Sequence, residues 1–200
     1  MQPFRVEKLD LAQVRDAYAG LIVPAFPENE LKPLKRIEAA VRRGEYLCCG
    51  AVAEGDVLGA AFFVRIRRGG RTLMLFDYLV VRPDLRCRGI GAAFLQALIG
   101  GPLRRADVAL LEVDDPDRAD KPEERALRRR RLAFYLRNGL CDTGARATVY
   151  GAAFRILALP GGETVDAEQA RGVYAALYKA ILPPHTFRYR VVIEGPDPSP

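Results

Sequence analysis

The sequence has little from which to build a metal centre or a catalytic triad. Its one histidine, His185, stands close to the end of the 200 residues. A Ser-His-Asp triad needs an imidazole between its partners, so that arrangement has poor material. The four cysteines, Cys48, Cys49, Cys87 and Cys141, form no C-x-x-C pair. Adjacent Cys48 and Cys49 point to opposite faces of a strand. This spacing excludes the usual zinc frameworks and fits free thiols in a reducing compartment. No apolar run approaches the ~20 residues that cross a bilayer, and residues 1–8 lack the apolar core of a signal peptide. No metal and no membrane partner are expected, and the chain is read as cytoplasmic. Lysine is also scarce, at positions 8, 32, 35, 121 and 179 only, so the net charge of +6 is mostly arginine.

What is present is an ordinary globular composition. Hydrophobic residues make up 50% and charged residues 28%, with a mean hydropathy of −0.04. A chain of this length buries roughly two-thirds of its unfolded surface and needs no covalent staple. Arginine makes planar, bidentate contacts with phosphates. The basic balance therefore suits nucleic acid, an anionic surface or a small phosphorylated ligand, unless it reflects base composition alone. A nucleic-acid-binding domain is the non-enzymatic alternative. Against it, the arginines are scattered and few alternate with aromatics as stacking platforms do.

Periodicity and punctuation give a mixed order of elements. Asp10 caps a helix to about residue 22, and a second amphipathic helix is expected over about 29–43, ended by Gly44. Three turn-punctuated strands follow, 46–53, 57–67 and 73–81, as an antiparallel meander. Pro83 stops the third. A helix is expected from Gly89 to about Gly100, a buried strand over 108–113, an acidic loop over 114–122 and a long helix over 123–138. Short and longer strands are expected at 140–143 and 148–159. A helix opened by Asp166 over 165–181, a last strand at 187–193 and a mobile tail from Gly195 complete the chain. No internal repeat or long linker interrupts this order, which reads as one mixed α/β domain.

The segment that carries chemistry is Leu79-Val80-Val81-Arg82-Pro83-Asp84-Leu85-Arg86-Cys87-Arg88-Gly89-Ile90-Gly91-Ala92. A strand enters a short basic, glycine-bearing loop that opens directly into a helix. The helix N-terminus presents unpaired N–H groups and a partial positive charge. Gly89 and Gly91 let a ligand approach the backbone, and Arg86 and Arg88 add full charges. Together they suit a pyrophosphate. The spacing is not that of a Walker loop, and no third glycine or parallel βαβ unit makes it a dinucleotide fingerprint.

Arg86-x-x-Gly89-x-Gly91, preceded by Leu79-Val80-Val81-x-Pro83, resembles the [QR]-x-x-G-x-[GA] signature of the GNAT acyltransferase superfamily. Ala133-Phe134-Tyr135-Leu136-Arg137-Asn138-Gly139-Leu140 resembles the end of that family's fourth main helix. The resemblance covers roughly residues 4–160. It implies an acyl-CoA N-acyltransferase fold, an α/β (α+β) domain whose mixed central sheet has an antiparallel N-terminal meander, splayed strands and flanking helices. Residues 1–160 are then the acetyltransferase domain, and 161–200 a C-terminal helical extension and tail of the same domain. That extension is read either as a dimer contact or as a cover for the acceptor cleft.

The resemblance implies acetyl-CoA as co-substrate. Its pyrophosphate would lie on Arg86, Cys87, Arg88, Gly89, Ile90, Gly91 and Ala92. Its pantetheine arm would pair with the backbone of Leu79, Val80 and Val81. It implies direct transfer of the acetyl group to a primary amine of a small molecule, peptide or protein. Tyr135 stands where the family often places its general acid, or packs its helix on the sheet. The usual glutamate of the strand before the loop is replaced by Leu75. Asp77 and Glu112 are the candidate bases, each with a structural ion pair as the alternative. A CoA-binding module that regulates without catalysis is the second reading. Arg128 stands where many members carry a CoA-contacting asparagine, with a solvated and partly ion-paired helix as the alternative, and the acidic run Asp114, Asp115 and Asp117 reads as a solvated loop.

Overall fold

In the computed structural model the described residues are 3–159 and 164–195. They form eight strands and six helices. The strands are β1 (Arg5–Lys8), β2 (Tyr46–Ala53), β3 (Asp56–Arg68), β4 (Arg71–Val81), β5 (Val108–Asp114), β6 (Cys141–Val149), β7 (Ala152–Ala158) and β8 (Val191–Ile193). The helices are α1 (Leu11–Ala17), α2 (Leu34–Arg43), α3 (Ile90–Gly100), α4 (Pro122–Arg137), α5 (Ala167–Ile181) and α6 (Pro184–Arg190). Two compact units result, Met1–Arg65 with Phe76–Arg105, and Ile66–Leu75 with Ala106–Pro200.

The first unit is a meander in the order β1-β2-β3-β4. The antiparallel register sets Tyr46 opposite Val64 and Cys49 opposite Ala61. β3 and β4 are joined at Gly69-Gly70, both with positive φ, the backbone that a tight hairpin requires. Its core is aromatic: Phe63 meets Phe76 edge-on at 4.4 Å, and fully buried Phe94 of α3 meets Phe4 at 6.1 Å. α1 begins with a complete capping box, in which Asp10 accepts from Gln13 N and Gln13 Oε1 accepts from Asp10 N. This satisfies two orphan amide groups reciprocally.

The expected helix to residue 22 becomes α1 followed by a π-helical turn over Tyr18–Ile22. The expected helix start near residue 29 is also corrected. Residues 28–30 form a 3₁₀ turn, and α2 starts only after Pro33. Proline disfavours helical backbone in the residue before it, so Lys32 ends the loop rather than opening the helix. Gly44 closes α2 in the left-handed region with φ 74°, as its position predicted. β1 escaped the sequence reading because its four residues are mostly exposed and show no alternation.

The second unit contains the first residues of β4 and continues in the order β5-β7-β6-β8. β5–β7, β7–β6 and β6–β8 are all antiparallel. β6 runs to Val149, not to residue 143, and the break expected before Thr148 is absent. Gly144, with φ 80°, sits inside a register shift between Asp142 and Arg146, so a bulge rather than a turn absorbs it. The true hairpin turn is Tyr150-Gly151, with φ of 50° and 88°. At the C-terminal end, residues 184–190 form α6 instead of the expected strand, and only Val191–Ile193 pair with β6. Pro184 at the first helical position is suited to starting that helix. Residues 196–200 of the expected tail lie outside the described residues.

Candidate active site

The loop after β4 has the backbone that its sequence suggests. Arg82 N donates to Leu58 O at 2.9 Å, tying the end of β4 to β3. Pro83–Leu85 make one 3₁₀ turn, and Arg86 is extended. Cys87 follows with φ 60° and Gly89 with φ 80°. Gly89 is the N-cap of α3 and no side chain caps the helix. The N–H groups of its first turn therefore lack a helical or side-chain acceptor. Arg86, Cys87, Arg88 and Gly89 are exposed, while Ile90 is buried and anchors α3. A left-handed cysteine is uncommon, and here it turns the chain ahead of the helix.

Charge around the loop is net positive. Arg82 grips Asp84 through Nε at 3.0 Å and Nη2 at 2.7 Å, and the Asp56 charge also acts on Arg82. That hydrogen bond holds the Asp84 carboxyl below its ordinary value. Arg86 reaches back to Val81 O at 3.4 Å. Arg88 is exposed beside the uncapped amides, where its charge also acts on Asp84, and such a cradle fits a pyrophosphate.

Leu79 and Val81 are half-buried and Val80 is buried. Gly59 of β3 lies against this stretch, and a Cβ there would stand 2.8 Å from the Val80 carbonyl oxygen.

Asp77, two residues before Leu79, is the centre of a cluster within the first unit. Its carboxylate accepts from Lys32 Nζ and from the Tyr46 hydroxyl, and the side chain is 5% exposed. The neighbouring Tyr78 accepts from Lys32 N at 2.8 Å and donates to Glu30 O at 2.9 Å. Tyr18 donates to Lys32 O at 2.7 Å. The loop before α2 is thereby fastened to β4. Burial, then the Asp77 charge, push the Tyr78 hydroxyl strongly up, so it remains a donor throughout.

Glu112 lies on β5 opposite Ile156 of β7. Its Oε1 accepts from the hydroxyls of Tyr174 and Tyr178, the latter at 2.6 Å. Both tyrosines come from α5, one turn apart, with ring centroids 4.7 Å from each other. Tyr174 is fully buried, and burial together with the Glu112 charge push its hydroxyl well above 10. Neither Lys32 and Tyr46 at Asp77 nor the two tyrosines at Glu112 were legible as partners in the sequence. The one signal, for the Glu112 pair, was the i, i+4 spacing of Tyr174 and Tyr178, which sets both on one helix face.

Tyr135 is half-buried near the end of α4. Burial raises its hydroxyl to about 12, against the lowering effect of Arg131 and with a further rise from Asp114. Among the described residues that hydroxyl has no hydrogen-bond partner. It is a neutral proton donor at physiological pH.

The acidic run is not a solvated loop. Asp114 pairs with Arg131. Asp115, 3% exposed, accepts from Arg155 Nε at 2.9 Å and faces Arg146 Nε at 3.3 Å. Asp117 pairs with Arg155. Arg146 and Arg155 stand directly opposite in the β6–β7 register, a repulsive pairing that Asp115 and Asp142 bridge. Arg128 donates to Asp115 O at 2.9 Å and to Glu124 at 2.7 Å. Part of the arginine surplus is thus used inside the second unit.

No group of three or more metal-ligating side chains occurs among the described residues, and no helix among them is long and apolar enough to cross a membrane. Cys48 and Cys49 are buried, and burial raises both thiols.

An antiparallel meander thus leads through β4 into an uncapped, arginine-flanked helix N-terminus. The chain belongs to the GNAT family: the model described as "Acetyltransferase (GNAT) family" matches residues 13–120. It is an acetyl-CoA-dependent N-acetyltransferase by that membership. A sequence search of curated proteins finds no match. Among solved structures, a protein described as a GNAT-family acetyltransferase from Bacteroides thetaiotaomicron is 19% identical with a TM-score of 0.67, covering 88% of this chain and 97% of that one. The ribosomal-protein-S18-alanine N-acetyltransferase of Escherichia coli is 21% identical with a TM-score of 0.55, covering 81% and 96%. A Bacillus subtilis acetyltransferase in complex with CoA is 14% identical with a TM-score of 0.55, covering 78% and 98%. At these identities they share the fold.

Proposed function

We propose that this protein moves the acetyl group of acetyl-CoA directly to a primary amine of a small molecule, peptide or protein. The observation that carries this reading is the uncapped N-terminus of α3, led by Gly89 and flanked by Arg86 and Arg88. In this reading residues 86–92 hold the pyrophosphate, and the backbone of Leu79, Val80 and Val81 aligns the pantetheine arm. Tyr135 donates a proton to the leaving thiolate, and its raised hydroxyl pKa keeps that proton available. Asp77 already carries the Lys32 ammonium, which favours Glu112 as the base for an incoming acceptor. The tyrosines on Glu112 would orient it for that task.

The departure at Leu75 and the engagement of both carboxylates support a second reading, a CoA-binding regulatory module. Calorimetry with acetyl-CoA, followed by a screen of amines for CoA release, separates the two. Binding with turnover on at least one amine is expected. Binding without turnover across a broad panel selects the regulatory module, and no binding at high micromolar CoA refutes both.

A further inference from the structure

We propose that Lys32 is itself an acceptor, and that the protein acetylates its own Lys32 Nζ with Asp77 taking the amine proton. The inference rests on the reading above, that the loop after β4 binds acetyl-CoA.

Three observations point to this lysine. Its ammonium is bonded to Asp77, a carboxylate 5% exposed on the strand that leads into the phosphate loop. At about 3.3 Å per strand residue, Asp77 lies only about 7 Å before Leu79, where the thioester arm would begin to pair. Next, the surroundings are those of an alkylammonium site: a carboxylate, the Tyr46 hydroxyl on the same carboxylate, and the Tyr78 ring with its centroid 5.7 Å from Nζ. Such a combination of anion and aromatic face recognises a primary ammonium. Finally, Lys32 is held from both sides of its backbone, its N–H by Tyr78 and its C=O by Tyr18. Fixing a nucleophile near an acyl donor is what converts a bimolecular reaction into an intramolecular one.

The side chain is 29% exposed, so it can be reached. The other four lysines differ. Lys179 lies over the Phe187 ring, and Lys8, Lys35 and Lys121 are exposed.

The step balances without a further reagent. The Lys32 ammonium passes one proton to Asp77, directly or through water, and becomes a neutral amine. Its nitrogen forms a bond to the acetyl carbonyl carbon, and the carbon–sulfur bond of the thioester breaks. The CoA thiolate leaves and takes up one of the two protons lost by nitrogen, while Asp77 returns to its carboxylate and the other proton passes to solvent. The product is an amide at Lys32, CoA and one net proton. An acetylated Lys32 has no charge for Asp77, so the ion pair that fastens residues 30–32 to β4 is lost. Asp77 is then left with Tyr46 alone among the two donors seen here.

The test uses the full chain with acetyl-CoA, intact mass and peptide mapping over a series of protein dilutions. A gain of one acetyl group at Lys32 is expected, with a rate independent of protein concentration. K32R should abolish the gain at that peptide. D77N should slow it by about a hundredfold, the usual contribution of a general base, and G89D should suppress it by weakening cofactor binding. Calorimetry on the wild type runs in parallel. CoA bound without acetyl at Lys32 overturns the proposal and leaves the cofactor reading standing. Acetyl spread evenly over Lys8, Lys35, Lys121 and Lys179 as well, and indifferent to G89D, is solution chemistry and also overturns it. No CoA binding refutes the cofactor reading itself. The decisive measurement is on wild-type protein, so a variant that fails to fold does not protect the proposal.

Discussion

Replacing Gly59 by alanine adds one methyl group at the place where β3 supports the end of β4, the strand proposed to align the pantetheine arm. Its Cβ would stand 2.8 Å from the Val80 carbonyl oxygen, 3.4 Å from Val81 Cγ2 and 3.5 Å from Phe94 Cδ1. Ordinary carbon–oxygen contacts begin near 3.3 Å, so the carbonyl must retreat by about half an ångström. Phe94 is fully buried, so the opposite side offers no slack. Overpacking of this kind costs about 1–3 kcal/mol, offset by about 0.4–1 kcal/mol from the stiffer unfolded chain. A net loss of about 1–2 kcal/mol is expected, visible in a urea titration as a lower midpoint at unchanged slope. The second effect is functional. If the displaced backbone loses one hydrogen bond to the pantetheine arm, about 0.5–1.5 kcal/mol disappears, and the Kd for CoA rises by up to about tenfold. Gly50→Ala is the control: its Cβ would meet Leu9 Cδ2 at 2.7 Å, and Leu9 is fully buried, so the midpoint should fall there too while the CoA affinity stays unchanged. A Gly59→Ala variant as stable as wild type, with unchanged CoA affinity in calorimetry, would refute the assignment of this strand.

Other substitutions test the remaining groups. Tyr135→Phe should lower turnover about a hundredfold at nearly constant CoA affinity, and unchanged turnover removes Tyr135 as the acid. With its hydroxyl at about 12, wild-type turnover should show no alkaline limb from Tyr135 below about pH 10. Tyr174→Phe deletes a buried donor to a carboxylate, which should cost about 1.5–3 kcal/mol in a urea titration; an unchanged midpoint would show that Glu112 does not need it. Asp115→Asn addresses acid stability. Burial raises the Asp115 carboxyl, but hydrogen bonds from Arg155 and Asp117 N and the charges of Arg155 and Arg146 outweigh it and hold the value low. A depressed folded value means stability present above about pH 4 and lost as pH falls through the folded pKa. The variant should therefore be less stable at pH 7 and lose less on acidification, and parallel curves for the two proteins would contradict the network.

Several elements were legible because their signals are local. Asp10 and Asp166 each have glutamine three residues later, and both form complete capping boxes. Gly44 ends its helix, and the β4–loop–α3 junction falls where strand, proline and glycines put it. The misread stretches all involve choices between neighbours of similar propensity. Residues 144–147 look like a break between two strands, yet β6 runs through them and pairing with β7 resumes at Arg146 after a bulge. Phe187-Arg188-Tyr189 looks like a strand, yet Pro183-Pro184 starts a helix there. Asp114, Asp115 and Asp117 look solvated, yet arginines from α4, β6 and β7 gather on them.

The sequence by itself therefore determined the basic, glycine-bearing loop after β4 and the helix that opens from it, since both depend on glycines, charges and backbone amides within one short segment. It also determined Tyr135 and the two carboxylates as the groups to follow. Only the tertiary structure decided what those carboxylates face. Lys32 and Tyr46 reach Asp77 across 45 and 31 residues, and Tyr174 and Tyr178 reach Glu112 across 62 and 66. Hydrogen bonds of such span depend on how helices pack on strands, and no spacing along the chain encodes them.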